Sequence, residues 1–529
     1  MKQDDRNAFF APLKHVECDA IGTIYPDFFW FHGGNATGVL DISGARFAKL
    51  VSMQAPDRVV QCAMDRLPQT LGELEALSRI PSVSAPGFPP SEVSRCAREV
   101  ARLLEEVGLQ KVELLGPAGV HPYVVAEWTE AGPEKPTLLL YAHYDVQPPG
   151  RETHWHSPPF DPEKREGRLY GRGVVDDKAG ILILISAVRA WFESEGTLPV
   201  NVKFVVEGEE EIGSTHLESF LLETKERLSA DIIVLTDTAN LETGLPSLTT
   251  SLRGLVNVDV HVKLLDHPLH SGMWGGPIGD AATALTALLG RLFDAQGEVI
   301  LPGLSDDVPE LSQHEKKALA ELPFSRASFR TDAGLMPGSR TTAASEASVY
   351  EQLWNHPAVA ITALEAIPLD RAANQLIDSA AARVSVRLAP GQNAERVRDL
   401  LVEFLSTNPP FGAQVTLECE AAVPGWRRSS EGSDIEAARR ALARGYGREP
   451  VLIGCGGSIP FVAPFSRALS GAPAVLLGLE DPICNAHGEN ESLHLGDFRS
   501  ALISAVHLLA EFSDFLEMQA EETGRVGEA

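Results

Sequence analysis

Basic residues are scarce in this chain: 45 Lys and Arg stand against 73 Asp and Glu, a formal charge of -28. A nucleic-acid or anionic-membrane surface needs basic patches, so neither partner is expected. Long apolar runs are missing too. None approaches the ~20 residues that a spanning helix requires. The opening residues, MKQDDRNAFF, place acids where a secretion signal would place a basic segment, which argues against export. Cysteines are few and scattered (Cys18, Cys62, Cys96, Cys419, Cys455, Cys484), with no C-x-x-C pair. Reduced thiols in a cytosolic protein are the plain reading. Internal repeats are absent, and low-complexity content is minor.

What is present describes an enzyme-sized globular chain. With 529 residues, 44% of them hydrophobic, two or three domains are expected. Residues 1–55 show no sustained period. They read equally as an extension that packs on the body or as translation from an upstream start. From Asp57 the pattern becomes regular. Ser91 is placed to cap a helix whose apolar positions Val93, Ala97, Val100, Leu104 and Val107 recur at three or four, with Gly108 as its stop. Strands and helices then alternate through residue 236, the pattern of a mostly parallel sheet covered by helices on both faces.

After Arg253 the texture changes. Val256, Val258, Val260 and Val262 alternate with Asn257, Asp259, His261 and Lys263, the signature of a strand with one solvated face. The elements that follow, apart from polar connecting material, run in the order βαββαβ, a ferredoxin-like arrangement. We therefore expect a catalytic α/β domain formed by 56–251 and 423–529, interrupted by an inserted α+β domain at 252–422.

Histidines and acids gather at predicted strand ends. TLLLYAHYDVQP, at 137–148, is an apolar run that stops at His143 and Asp145. Ligands of open α/β sheets bind at this end of the strands. Asp176 lies in LYGRGVVDDKAG, Glu210 and Glu211 in VVEGEEEIGS, Asp237 at the end of IIVLTD, and His487 in NAHGENES. Singly, each has a plain explanation as a capping or surface residue, and the glutamate run as a helix-N-terminal acidic cluster. Together, two histidines and several carboxylates suit a borderline cation such as Zn²⁺. Two divalent ions ~3.5–4 Å apart need anionic ligands, one of them bridging, to offset their repulsion. A carboxylate outside the ligand set is then needed to move the proton of the attacking water.

The set YAHYDVQP, LYGRGVVDDKAG, EGEEEIGS, Asp237, LHSGMWGG, GGSIP and NAHGENE resembles the di-zinc metallopeptidase family of carnosinases, carboxypeptidase G, acetylornithine deacetylase and succinyl-diaminopimelate desuccinylase. The likeness runs in order over residues 57–520, and the spacings agree: Asp176 follows His143 by 33 residues, and Glu210 follows Asp176 by 34. The resemblance implies one metal on His143, Asp176 and Asp237, and a second on Asp176, Glu211 and His487. It makes Glu210 the general base and then acid, and Asp145 the carboxylate that orients His143. It also implies a cis peptide between Asp176 and Asp177. His270 in LHSGMWGG would reach the partner subunit's site and stabilise the oxyanion. Asn374, Arg387, Gly457 and Ser458 would contact the substrate, Arg387 through its carboxylate. Ile377 departs from the proline the family commonly has there. The GGSIP glycines, read alone, are a tight turn and not a P-loop, since no Gly-Lys-Ser/Thr follows.

The implied function is hydrolysis of dipeptides or short peptides with a free C-terminal carboxylate by a di-metal-bound hydroxide. The long insert and the HSGMWGG form favour the dipeptidase branch. Removal of N-acyl groups from amino acids by the same machinery is the competing reading, and a catalytically dead peptide-binding scaffold a third. Two divalent ions per subunit (zinc, with manganese or cobalt as alternatives), a homodimer formed through the insert and a cytoplasmic location complete the expectation. Other histidines outside the matched positions, His154, His156, His261, His267 and His494, are read as surface or hydrogen-bonded residues.

Overall fold

The computed structural model describes residues 54–342, 349–457, 462, 465, 468, 469 and 471–519. The N-terminal extension therefore lies outside the described residues but for its last two positions, as does Ser458.

The strand Thr137–His143 runs through the centre of the larger sheet, between Asn201–Glu207 and Ile232–Ala239, parallel to both. Ala474–Glu480 continues the parallel set beside Ile232–Ala239. Antiparallel strands flank this centre: Tyr123–Trp128 on one side and Ser247–Leu252 on the other. Alternate residues explain the all-apolar run. Leu138, Leu140 and Ala142 enter one core, while Leu139 and Tyr141 enter the core on the opposite face. A strand buried on both sides has no solvent face to pattern. The first core is covered by helices Asp57–Ser78, Pro90–Val107, Lys178–Glu195, Ser433–Tyr446 and Leu495–Glu511. This is the mixed α/β architecture expected from the alternating elements.

One local expectation changes. The helix containing Ser91 begins at Pro90, and no side chain caps it. Proline in the first turn loses nothing by lacking an N–H, because that group would have had no helical partner. Ser91 is thus one residue inside the helix. Gly108 ends it at φ 102°, a left-handed conformation that glycine adopts freely.

The smaller sheet has four strands in the order Ala358–Glu365, Ser379–Leu388, Gly254–Lys263, Gln414–Cys419, all antiparallel. With helices Ala281–Gly290 and Ala394–Ser406 on one face, it has the ferredoxin-like βαββαβ order. The four valines of Gly254–Lys263 point into this core. Ile377 is buried there as well, and its carbonyl accepts a bond from Ala281 N. Among the described residues, the polar connecting material contains three short helices, Gln313–Glu321, Arg326–Asp332 and Val349–Asn355. The first carries a capping box between Ser312 and Glu315. Their brevity leaves too little apolar periodicity to mark them in the sequence.

No helix among the described residues is long and apolar enough to cross a membrane. The described cysteines Cys62, Cys96, Cys419, Cys455 and Cys484 are free thiols.

Candidate metal centre

At the carboxyl ends of the parallel strands, six of the expected residues converge. His143 closes its strand fully buried. Its Nε2 lies 2.9 Å from Asp176 Oδ1 and 3.9 Å from Asp237 Oδ1. The other oxygen of Asp176, Oδ2, lies 3.0 Å from His487 Nε2, which is itself 3.2 Å from Glu211 Oε2. Asp176 therefore sits between two imidazoles, one oxygen toward each. Three sets of donor atoms, each within 4.8 Å of one another, overlap here: His143, Glu210 and Asp237; Asp176, Glu211 and His487; and Asp176, Asp237 and Glu480.

The loops that deliver these groups are held by buried carboxylates. Asp145, wholly buried, accepts the backbone N–H of Glu210 at 3.2 Å and that of Glu211 at 3.1 Å through its two oxygens. It also faces His143: its backbone carbonyl is 3.1 Å from Nδ1 and its carboxylate 3.5 Å. One residue thus locks the imidazole and the Glu210–Glu211 turn together. Glu491 does the same for the Asp176 loop. It accepts from Gly173 N and Val175 N at 3.0 and 3.1 Å and pairs with Arg172 at 2.6 Å, all in the interior. A buried, multiply bonded ion pair of this kind is costly to break from one side. The Asp176–Asp177 peptide is cis. Behind it, Gly180 is required by close packing: a Cβ there would lie 2.1 Å from Asp177 Oδ1 and 2.2 Å from Thr236 Oγ1.

Crowding so many acids has an electrostatic consequence. Burial first, then Asp237, raises Glu210 well above the ordinary carboxylate range. Burial and Asp176 push Glu211 up to about 7. Glu480 is raised well above its ordinary value by burial and by Asp176 and Asp237. Burial opposes the charge of His143, yet its bonds to Asp145, Asp176 and Asp237 raise it well above the usual range. Contacts with Asp176 and Glu211 raise His487 to about 11. Five carboxylates face two imidazoles in these sets. This donor chemistry fits divalent cations, whose charge would relieve the repulsion.

Other expected residues stand apart from this cluster. His270 is exposed in a two-residue strand paired with Gln375–Leu376, and its Nδ1 accepts from Gly272 N. Asn374 lies beside it, its carbonyl accepting from Ser271 N. Arg387 is half-buried on the smaller sheet, in register with Leu255 and Ala358. Gly457 donates its N–H to Cys455 Sγ. Of the histidines read as non-functional, His494 caps the helix Leu495–Glu511 and His267 contacts Asp266 on the surface.

Sequence reasoning misses Glu480 and Glu491. Glu480 is the last residue of its strand, a signal present in LGLE, whereas Asp237, expected at a strand end, lies two residues before the end of Ile232–Ala239. Glu491 stands four residues after His487 in a stretch with three other polar side chains, where nothing local distinguishes it.

Comparison with known proteins agrees with this geometry. The family model described as peptidase family M20/M25/M40 matches residues 139–512. A cysteinylglycine-S-conjugate dipeptidase of Corynebacterium striatum is 30% identical over 448 residues, 83% of this chain and 95% of that protein. The solved structure of the dipeptidase Dug1p from Saccharomyces cerevisiae superposes with a TM-score of 0.76 at 26% identity, covering 87% of this chain and 98% of that one. Human carnosine dipeptidase 1 gives the same TM-score at 27% identity, covering 87% and 100%. The match spans the strand that ends in His143, the Asp176 loop, the glutamate turn and the His487 loop, so this chain belongs to peptidase family M20/M25/M40.

Proposed function

We propose that this protein is a metal-dependent hydrolase of dipeptides and short peptides that carry a free C-terminal carboxylate. The observation that carries the reading is Asp176, whose two oxygens lie 2.9 and 3.0 Å from the imidazoles of His143 and His487. That is the placement of a carboxylate shared between two cation sites. The relatives whose chains align over most of this length act on cysteinylglycine conjugates and on β-alanyl-histidine, both dipeptides.

In this reading His143, Asp176 and Asp237 hold one divalent ion, and Asp176, Glu211 and His487 hold the other. Glu480 is a further donor at the Asp176–Asp237 side. When bound, two such ions, zinc in our reading, acidify a water and polarise the peptide carbonyl. Glu210 accepts the proton that the water releases as it adds to the carbonyl carbon. It then delivers that proton to the amine nitrogen as the C–N bond breaks. Asp145 fixes the direction of both His143 and the Glu210 turn, so base and ligands move as one unit. Arg387, Gly457 and Ser458 take the substrate's C-terminal carboxylate, and Asn374 contacts the peptide.

The segment 252–422 is the inserted lid, between the two halves of the catalytic domain, and two subunits pair through it. His270 is exposed, and none of the three donor sets in its own chain includes it. We assign it to the oxyanion of the partner subunit's site. Mixing a His270→Ala protein with an Asp176→Ala protein is expected to restore activity, up to about a quarter of the wild-type rate, because hybrid dimers hold one intact site. No recovery among dimers shown to exchange would count against a shared site. A cytoplasmic location accords with the acidic composition and the free thiols.

Substrate class is tested by assaying a dipeptide panel beside acetyl- and succinyl-amino acids. Dipeptides are expected to be turned over at least 10-fold more efficiently. Turnover of the acylated compounds alone would establish the deacylase instead. The scaffold reading is disfavoured because the base and every implied ligand are present.

A further inference from the structure

Two arginines, Arg253 and Arg387, lie near one another beside the end of the strand Val451–Cys455. Cys455 ends the strand Val451–Cys455, and its thiol is influenced by Glu480 and Asp237 on one hand and by Arg387 on the other. Arg253 follows the strand Ser247–Leu252, which lies beside it. Its Nε donates to Gly456 O at 3.4 Å and its Nη1 to His356 O at 3.3 Å. These are long bonds to neutral carbonyls. Among the described residues Arg253 forms no ion pair, although the chain carries 28 more acids than bases.

The positions of the two side chains are set by strand register. Arg387 is paired with Leu255 on one neighbouring strand and with Ala358 on the other. Arg253 lies two residues before Leu255, and the carbonyl it reaches lies two residues before Ala358. Both guanidiniums thus occupy one corner of the smaller sheet, beside the Gly456–Gly457 turn. A cavity of about 380 Å³ opens on Arg253. Arg340 is also in its wall, and no acid is among its described lining residues. Burial and then Arg387 push the Arg253 guanidinium down to about 10, and burial lowers Arg387 as well. A partly desolvated guanidinium such as that of Arg253, bonded to neutral carbonyls, is an electrostatic liability that an anion would relieve.

Building on the proposed function, we propose that Arg253 is a second guanidinium of the substrate site. It would grip the peptide's C-terminal carboxylate together with Arg387 and so select free-acid dipeptides over C-terminally amidated ones. The C-terminal carboxylate of a dipeptide lies within about 5 Å of the scissile carbon, one residue's reach. In the proposed function Arg387 and Gly457 receive that group, and Arg253 donates to the carbonyl of Gly456, next to Gly457. Paired planar guanidiniums suit a carboxylate because each can donate two parallel N–H bonds.

The test is a matched pair of substrates, a hydrolysed dipeptide and its C-terminal amide, assayed with wild type, Arg253→Met and Arg253→Lys. Arg253→Met is expected to raise KM for the free acid about 30-fold with kcat nearly unchanged. It should leave the amide's kcat/KM within about 3-fold, so that discrimination collapses. Arg253→Lys keeps the charge but not the fork, and should give an intermediate ratio. It also supplies the ratio if the methionine variant does not fold. Equal losses on acid and amide would assign Arg253 a purely structural role and overturn the proposal, as would an unchanged KM. No turnover of any dipeptide by wild type would overturn the function and this role together. Turnover with an unchanged ratio would overturn the role of Arg253 alone.

Discussion

Glu210→Gln is expected to keep its metal and lose about 10³- to 10⁴-fold in kcat. The substitution is close to isosteric. The backbone bond from residue 210 to Asp145, at 3.2 Å, does not involve the side chain, so the turn stays in place. What disappears is a group able to take a proton and return it. Glu210 is well set for that proton transfer, because burial and the charge of Asp237 raise its proton affinity well above that of a surface carboxylate. Metal content by elemental analysis, measured beside kcat, separates two roles. Glu210 shares a donor set with His143 and Asp237, so a ligand role would show as lost metal. Retained metal with full activity would refute the base assignment.

Removing the metals is expected to abolish turnover and to make stability depend on pH. Chelation and Asp176→Ala should both do the first, since Asp176 faces both imidazoles and its loss opens both sites. The second follows from linkage. In the metal-free protein Glu211 moves from an ordinary 4.5 to about 7, and Glu210 and Glu480 move in the same direction. A carboxyl raised on folding stabilises fully below its unfolded pKa, and that contribution is lost as pH climbs through the folded value. The Glu211 shift alone corresponds to about 3 kcal/mol. His143 and His487, also raised, add to the loss above their ordinary 6.5. Asp176, pulled down by the two histidines although burial opposes this, is ionised throughout the window and adds no slope. The melting temperature of chelated protein should therefore fall between pH 5 and pH 8, whereas metal-loaded protein should change little. Parallel curves with and without chelator would show that these acids do not gather around a cation.

Local pattern is enough to read much of this protein. The strand ending in His143 is legible because a fully buried strand must be apolar throughout and then stop. The strand Gly254–Lys263 is legible because one solvated face imposes a period of two. The same periodicities place the α/β body and the ferredoxin-like insertion, and the motifs name six of the seven residues that gather in the candidate metal centre. Tertiary structure decided which loops meet. Glu491 looks like any polar loop residue until it is seen gathering N–H groups from a segment about 316 residues earlier. Asp145 lies two residues from His143, yet the groups its carboxylate holds most closely are the N–H groups of Glu210 and Glu211. Glu480 enters the acid cluster because its strand lies beside Ile232–Ala239, and Arg253 comes near Arg387 through the register of the smaller sheet. Secondary structure obeys forces between near neighbours in the chain, which leave a periodic trace in the sequence. A site assembled from the ends of separate strands depends on distances set by packing, and packing between remote segments leaves no such trace.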